Sequence, residues 1–219
     1  MKGSPFATLA FTATLTFLAA GCTSTVLAPT PGAEGFDQSL TGWRTDSTGG
    51  SGPSATWGTR PDAQAISAPN VVGMQAVNHA DDDRFNLFWT TGSVADGHVA
   101  VAVRADAGVV DQGGGPMWRV QDANNYYLCR LNPLESNFRV YVVRGGVRRQ
   151  LATAKFEAKA GAWHRLAATF VGDRITCSVD GRVLLEAQDA TILQGGGHGL
   201  WTKADALTSF DDFVIEAKS

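Results

Sequence analysis

Apolar and polar residues alternate with a period of two along most of the chain after residue 36. Valine occupies every second position at Val99, Val101 and Val103, and the segments 138–143 and 165–170 repeat the pattern with other apolar residues. A period of two places successive side chains on opposite faces of a β-strand. No segment keeps a helical period, although residues 189–194 have room for one turn of helix. The pattern therefore predicts an all-β domain.

Glycine-rich pairs separate the predicted strands. Gly145-Gly146, Gly172-Asp173 and Asp180-Gly181 have the composition of two-residue hairpin turns. The 25 glycines suit a domain with many turns. Short strands joined by such turns predict a sandwich, a barrel or a jelly roll.

The N-terminal residues have the pattern of an export signal. Lys2 precedes an uncharged apolar segment, residues 6–20, which is too short to span a bilayer as a helix. The sequence Leu18-Ala19-Ala20-Gly21-Cys22 resembles a bacterial lipoprotein processing site with Cys22 as the lipidated residue. An ordinary signal peptide followed by an incidental cysteine is the alternative.

The domain organisation follows from this N-terminal pattern. We predict a signal peptide over residues 1–21, a flexible tether rich in Thr, Pro, Ala and Gly over 22–35, and one domain over 36–219. Thr23 follows Cys22 where an inner-membrane retention signal would have Asp. The expected location is therefore the outer membrane of a bacterial cell envelope, with the lipid anchor as the only membrane contact.

Charge and cysteine content limit the partners. The formal net charge is −3, and removal of Lys2 with the signal peptide makes it −4, which argues against nucleic acid as a ligand. Besides Cys22, the cysteines are Cys129 and Cys177, both in strand-like segments. An oxidising compartment would permit a disulfide between them, but we favour two buried free thiols. No Cys/His spacing in the sequence resembles a zinc site.

The segment 113–144 predicts a polar and aromatic surface. Two strands joined by a turn at 122–125 precede a third strand, and the large apolar side chains at alternate positions are assigned to the core. The side chains then left together on the outer face are Arg119, Tyr126, Arg130, Arg139 and Tyr141. Aromatic rings stack on sugars, and guanidinium groups pair with hydroxyls or carboxylates. The alternative is a half-exposed strand surface without a ligand, and a one-residue slip in register would reverse the assignment.

Four motifs resemble one family. They are Gly113-Gly114-Gly115-Pro116-Met117-Trp118-Arg119, Asn124-Asn125-Tyr126-Tyr127, Gly199-Leu200-Trp201-Thr202-Lys203-Ala204-Asp205 and Ser209-Phe210-Asp211-Asp212-Phe213. Together they are similar to the 3-keto-disaccharide hydrolase domain family, over nearly all of residues 36–217. The resemblance implies a concanavalin A-like fold, which is a two-sheet antiparallel jelly-roll sandwich. It also implies that Asp111 and Gln112 border the substrate cleft, that Trp201 stacks on a sugar and that Lys203 polarises a carbonyl oxygen.

The carboxylates argue against the usual glycosidase chemistry. That chemistry needs two carboxylates about 5–10 Å apart, and the sequence has no Glu-x-Asp-x-Glu run of the kind found in laminarinase-type enzymes on this fold. A 3-keto-sugar offers another route, because the ketone acidifies the neighbouring C–H and the glycosidic oxygen can leave by elimination before hydration. This route needs a base, an acid and a group that stabilises an enolate. The candidate catalytic residues are Glu135, His198, Lys203 and Asp205, although Glu135 also suits a turn cap.

The sequence leaves open whether a cation is bound and which of two functions the protein has. Asp211-Asp212 is a candidate ligand pair for a divalent cation, because paired hard oxygens suit Ca²⁺; the alternative is one solvent-facing Asp beside one held by local hydrogen bonds. The first function is an envelope lipoprotein that binds and hydrolyses a glycoside, with or without a divalent cation. The second is a non-catalytic lectin-like module that binds carbohydrate or another protein.

Overall fold

Two antiparallel sheets of seven strands each form the protein in the computed structural model, which describes residues 27–51, 54–76 and 83–218. The strands are β1 (Trp43–Thr48), β2 (Thr56–Pro61), β3 (Asn70–Ala76), β4 (Phe85–Val94), β5 (Gly97–Ala107), β6 (Gly114–Asp122), β7 (Asn125–Asn132), β8 (Asn137–Arg144), β9 (Val147–Lys155), β10 (Trp163–Val171), β11 (Arg174–Val179), β12 (Arg182–Gln188), β13 (Gly196–Lys203) and β14 (Leu207–Ala217). The first sheet has the order β1-β4-β13-β6-β7-β8-β9, and the second has the order β12-β11-β10-β5-β14-β3-β2. The predicted two-sheet sandwich is confirmed, whereas residues 189–194 have no helical turn.

The predicted hairpins are all present. Gly145-Gly146 joins β8 to β9, Gly172-Asp173 joins β10 to β11, and Asp180-Gly181 joins β11 to β12. Gly145 and Gly146 have φ angles of 57° and 79°. Side chains with a Cβ atom rarely adopt this region, so glycine is favoured at both positions of the turn.

A hydrophobic core fills the space between the sheets. It includes Trp118, Tyr127 and Phe138 from the first sheet and Val101, Leu166 and Phe170 from the second. The Trp118 ring stacks on Tyr127 and Phe170, with centroid separations of 5.9 and 5.6 Å. The same core contains Cys129 and Cys177, which are both free thiols, and burial raises the pKa of the Cys129 thiol.

A second apolar cluster lies on the outer face of the first sheet, the face that points away from the second sheet. Its members come from the first sheet alone: Phe85, Leu87, Trp89, Met117, Val120, Tyr126, Leu128, Tyr141, Val143 and Trp201. Thr48 on β1 and Tyr126 on β7 meet across this face, with their hydroxyl oxygens 2.9 Å apart. Three strands separate β1 from β7, which in a flat sheet would place them roughly 19 Å apart. The first sheet is therefore strongly curved, and its outer face is called the concave face below.

The segment before residue 36 is attached to the second sheet. The Thr30 amide donates to both carboxylate oxygens of Asp212, at 2.9 and 3.0 Å, and Glu34 forms a β-bridge with Phe213. Residues 27–35 of the predicted tether are thus in contact with the domain, which begins before Phe36. The predicted signal peptide, residues 1–21, and Cys22 lie outside the described residues. Within the described part of the chain, no helix is long and apolar enough to cross a membrane.

The hydroxyl of Tyr126 should contribute to the curvature of the first sheet. Tyr126→Phe removes its hydrogen bonds with Thr48 and with the Trp201 indole, which lies 3.3 Å away. Because these partners are buried, we expect the free energy of unfolding to fall by about 1–3 kcal/mol. Urea unfolding measures this change, with Val147→Ala at an exposed site as the control. Equal stability of all three proteins would show that the contact across the face does not hold the curvature.

Candidate functional site

Ionised side chains converge around Arg130 at one end of the concave face. Arg130 is fully buried, with Nη1 3.0 Å from Asp111 Oδ2 and Nη2 2.8 Å from Glu135 Oε2. Asp111 also accepts a hydrogen bond from Asn132 Nδ2 at 2.9 Å, and Lys203 Nζ lies 3.5 Å from its Oδ2. With Asn137 and Arg139 these residues form the group called the Arg130 cluster.

Strand alternation brings the members of the cluster together. In β7 the residues Tyr127, Cys129 and Leu131 enter the core between the sheets, so Arg130 points to the concave face. Arg139 pairs with Arg130 in the β7–β8 register, on the same face. The alternation thus predicted the face of Arg130 and Arg139 correctly.

Glu135 is the solvent-facing carboxylate of the cluster. It lies in the turn between β7 and β8, and its side chain is 42% exposed. Its Oε2 accepts hydrogen bonds from Arg130 at 2.8 Å, Arg139 at 2.7 Å and Asn137 at 2.8 Å. Burial acts to raise the pKa of Glu135, but the Asn137 hydrogen bond and the two guanidinium charges hold it below its usual value. At neutral pH an ionised carboxylate therefore faces solvent beside two positive charges.

Asp111 has the opposite electrostatic balance. Burial raises its pKa, and the charges of Arg130 and Lys203 only partly oppose that effect. The backbone amide of Gln112 donates to Asp111 Oδ1 at 2.8 Å, which places Gln112 directly beside the cluster. The cluster thus contains one partly exposed carboxyl group with a lowered pKa and one buried carboxyl group with a raised pKa.

Asp205 positions the loop that carries Asp111. Its carboxylate accepts hydrogen bonds from the backbone amides of Val109 at 2.7 Å, Val110 at 3.0 Å and Asp111 at 2.9 Å. Burial acts to raise the pKa of Asp205, and these amides hold it below its usual value. Asp205 was predicted as a catalytic residue, whereas in the structure its carboxylate caps the loop that carries Asp111.

The predicted aromatic residues lie on the concave face but are not an open platform. Tyr126 and Trp201 are fully buried and Tyr141 is nearly so. Arg148 covers this region, with its guanidinium carbon 4.6 Å from the Tyr141 ring centroid and 5.7 Å from that of Trp201. Arg148 is not among the residues predicted from the sequence. A sugar could stack on Trp201 only after the Arg148 side chain had moved.

Arg119 does not join the other arginines. Its φ angle is 49°, and the register of β6 with β7 shifts between Trp118 and Asp122. This β-bulge turns Val120 to the concave face and Arg119 away from it. The Arg119 guanidinium instead donates to the backbone oxygens of Ala95, Ile192 and Gly172 and pairs with Asp96. The prediction that it shares the face of Tyr126 was therefore wrong.

His198 lies on the opposite side of the sheet from the Arg130 cluster. Its ring stacks on Phe213 of the core between the sheets, with a centroid separation of 5.7 Å. Burial lowers its pKa, and its Nδ1 has no hydrogen-bond partner among the described residues. Leu200 also faces the core between the sheets, whereas Trp201 and Lys203, which alternate with it along β13, face the concave side. This placement, away from Glu135 and Lys203, does not fit the predicted catalytic role of His198.

Asp211 and Asp212 lie on β14 of the second sheet and are fully buried. Asp211 Oδ2 accepts a hydrogen bond from the Ser67 amide at 2.8 Å, and Asp212 Oδ2 lies 2.5 Å from Arg165 Nη2. Their oxygens thus hold the N-terminal segment and the β2–β3 loop. Because neither side chain faces solvent, the alternative of one solvent-facing Asp was wrong. Within residues 27–51, 54–76 and 83–218 no group of three or more His, Cys, Asp and Glu side chains is arranged for a metal ion.

Two cavities lie outside the Arg130 cluster. One, of about 930 Å³, is beside the second sheet, where His164 Nδ1 is 2.8 Å from Asp180 Oδ2. The other, of about 260 Å³, is lined by Arg44, Trp89 and the glycines at 195–197. Trp89 belongs to the concave-face cluster, so the smaller cavity adjoins that face, whereas the larger one contains none of the predicted site residues.

Comparisons with known proteins agree with this architecture. The model of the family described as 3-keto-alpha-glucoside-1,2-lyase-like domain matches residues 34–215. No curated protein sequence matches the chain. A carbohydrate binding module, CBM66 from Bacillus subtilis, has a similar structure, with a TM-score of 0.61, 20% identity and coverage of 81% of this chain and 96% of that chain. A Bacillus licheniformis beta-glucanase has a TM-score of 0.57, 14% identity and coverage of 85% and 97%. At these identities the solved structures establish a shared jelly-roll fold.

The pH dependence of stability should report on Asp211. Burial raises its pKa to about 6, whereas in an unfolded chain an Asp pKa is about 3.9. Between these values the folded state keeps a proton that the unfolded state has lost, so the free energy of unfolding falls as the pH rises, by up to about 3 kcal/mol.

Asp211→Asn should remove this decline relative to the unsubstituted protein. Urea unfolding at several pH values between about 4 and 6 measures the difference, and Asp122→Asn at an exposed site is the matched control. Parallel pH profiles for the Asp211 variant and the unsubstituted protein would contradict the assignment.

Proposed function

Since the chain belongs to the 3-keto-alpha-glucoside-1,2-lyase-like domain family, we propose that it binds a glycoside on the concave face and cleaves the glycosidic bond of a 3-keto-glycoside at the Arg130 cluster. The observation that supports this most is the exposed Glu135 carboxylate, held by Arg130 and Arg139. A base beside fixed positive charges is what proton abstraction next to a ketone requires.

The proposed reaction is an elimination followed by addition of water. Glu135 takes the proton from C2 of the sugar, and the C–H electron pair forms an enolate on the C3 ketone oxygen. The positive charges of Arg139 and Lys203 stabilise that oxygen. The enolate then collapses to a C1–C2 double bond as the glycosidic oxygen leaves with the C1–O electron pair. The proton held by Glu135 passes to the leaving oxygen, and water adds to C1 with return of a proton to C2.

A non-catalytic carbohydrate-binding function is the second candidate. Three hydrogen bonds already converge on Glu135 Oε2, and carboxylates fixed in this way also occur where they only shape a binding surface. The fold is shared with the CBM66 carbohydrate binding module. In this case the concave face would bind a sugar and release it unchanged.

Glu135→Gln tests the choice between these functions. The unsubstituted protein should release a monosaccharide from 3-keto-glycosides and not from their unoxidised parents, with products followed by NMR. The variant should lower turnover by about 10²–10⁴-fold while its dissociation constant changes little, because the amide cannot accept the proton. Glu157→Gln, which alters an exposed carboxylate paired with Lys155, is the control.

The same assay separates the remaining outcomes. Binding without turnover in every protein would support the lectin-like function instead. Absence of both binding and turnover would refute the proposal. Each reaction is run with a chelator and with added Mg²⁺ or Ca²⁺, because a divalent cation is another way of stabilising an enolate.

We also propose that Cys22 is lipidated and anchors the protein to the outer membrane of a bacterial cell envelope. The support is the Leu18-Ala19-Ala20-Gly21-Cys22 sequence followed by Thr23. The full chain expressed in bacteria should partition into the detergent phase of a Triton X-114 extract, and Cys22→Ala should move it to the aqueous phase. Aqueous partitioning of both proteins would exclude the anchor.

A further inference from the structure

The Arg148 side chain lies in an aromatic cage on the concave face. Its guanidinium carbon is 4.8 Å from the ring centroid of Phe85, 4.6 Å from that of Tyr141 and 5.7 Å from that of Trp201. Attraction between a cation and aromatic rings stabilises this position and partly offsets the loss of hydration. The cage fixes the guanidinium, so the direction of its Nη1 donor is defined.

Among the described residues, Arg148 has no carboxylate partner of the kind that Arg130 and Arg139 have. Its Nη1 is buried and has no hydrogen-bond partner among the described residues. Arg130 and Arg139, by contrast, are paired with carboxylates. Burial lowers the pKa of Arg148, and the charge of Arg130 acts in the same direction, whereas Tyr141 and Asp111 oppose this effect only in part. A buried donor without an acceptor is unfavourable, so a ligand that supplied one would gain affinity.

The cage adjoins the proposed reaction site. The ring of Tyr141 is shared, because the guanidinium carbon of Arg130 lies 6.0 Å from its centroid and that of Arg148 lies 4.6 Å from it. A sugar held at the Arg130 cluster would therefore have one of its substituents next to Arg148.

We propose that Arg148 determines specificity by binding a carboxylate of the ligand, so that the concave face takes an acidic sugar such as a hexuronide. A sugar hydroxyl would give Nη1 an acceptor but would leave the guanidinium charge uncompensated. A carboxylate supplies both, and the planar guanidinium matches its two oxygens. This inference rests on the proposed function for the place of binding, but not on turnover.

Affinities for matched sugars test the inference. The probes are methyl glucoside and methyl glucuronide, each as the parent and as the 3-keto form, titrated calorimetrically into the purified protein. The glucuronide should bind at least about tenfold more tightly than the glucoside. Its affinity should also fall more steeply with added salt, because charge–charge attraction is screened.

Substitutions assign the preference to Arg148. Arg148→Gln should remove most of the preference for the glucuronide, and Arg148→Lys should keep part of it, since the charge remains but the paired donors are lost. Arg182→Gln removes the same charge from an exposed position on the second sheet and should leave the preference intact. Thermal unfolding of each variant checks that the fold is retained.

The possible failures are distinguishable. Equal affinity of the unsubstituted protein for glucoside and glucuronide would overturn the acidic-sugar inference and leave the proposed function standing. A glucuronide preference that survives in Arg148→Gln would overturn the role of Arg148. Failure to bind any of the four sugars would overturn both this inference and the proposed function.

Discussion

The curvature of the first sheet is the constraint on which the candidate site depends. Arg148 on β9 contacts Phe85 on β4 at 4.8 Å, although four strands separate β4 from β9. In a flat sheet these strands would lie roughly 24 Å apart. Because the sheet curves, its outer face encloses a second apolar cluster in addition to the core between the sheets. The curvature thus explains why Tyr126 and Trp201 are buried on a face that alternation alone would leave open to solvent.

Alternation and turn composition were sufficient to predict an all-β domain, the hairpins and the face of Arg130, whereas the family resemblance was needed to select the two-sheet sandwich. Neither showed the places where a β-bulge changes which face a side chain takes. The bulge at Arg119 moves that side chain off the concave face. A second irregularity opposite Val140 and Tyr141 shifts the register of β9. Counting back in twos from Ala152 assigns Arg148 to the core, whereas it lies on the concave face. A bulge depends on pairing with the neighbouring strand, so the sequence of one strand does not reveal it.

The surroundings of Asp111 could not be predicted for a different reason. Its burial and orientation depend on Asp205, which lies 94 residues further along the chain and accepts the Asp111 amide. The motif that contains Asp205 resembled a family and so drew attention to that residue as a catalyst. In the structure Asp205 caps a loop, and its carboxylate accepts hydrogen bonds from backbone amides. A sequence motif identifies residues that belong to one site. The contacts in the structure are needed to tell which of them face a ligand and which position other residues.

The buried charges around Arg130 are hard to explain by stability alone. Removing Asp111 and Arg130 from water costs more free energy than their mutual attraction usually returns, and apolar residues of similar size are often more stabilising in such positions. On the other side of the same strand, Cys129 and Leu131, which flank Arg130 in sequence, belong to the apolar core between the sheets. β7 therefore buries apolar side chains on the face towards the core and places an arginine held by two carboxylates on the concave face. Its polar residues thus lie on the face that could meet a ligand. This asymmetry favours the concave face as the functional surface over the larger cavity beside the second sheet.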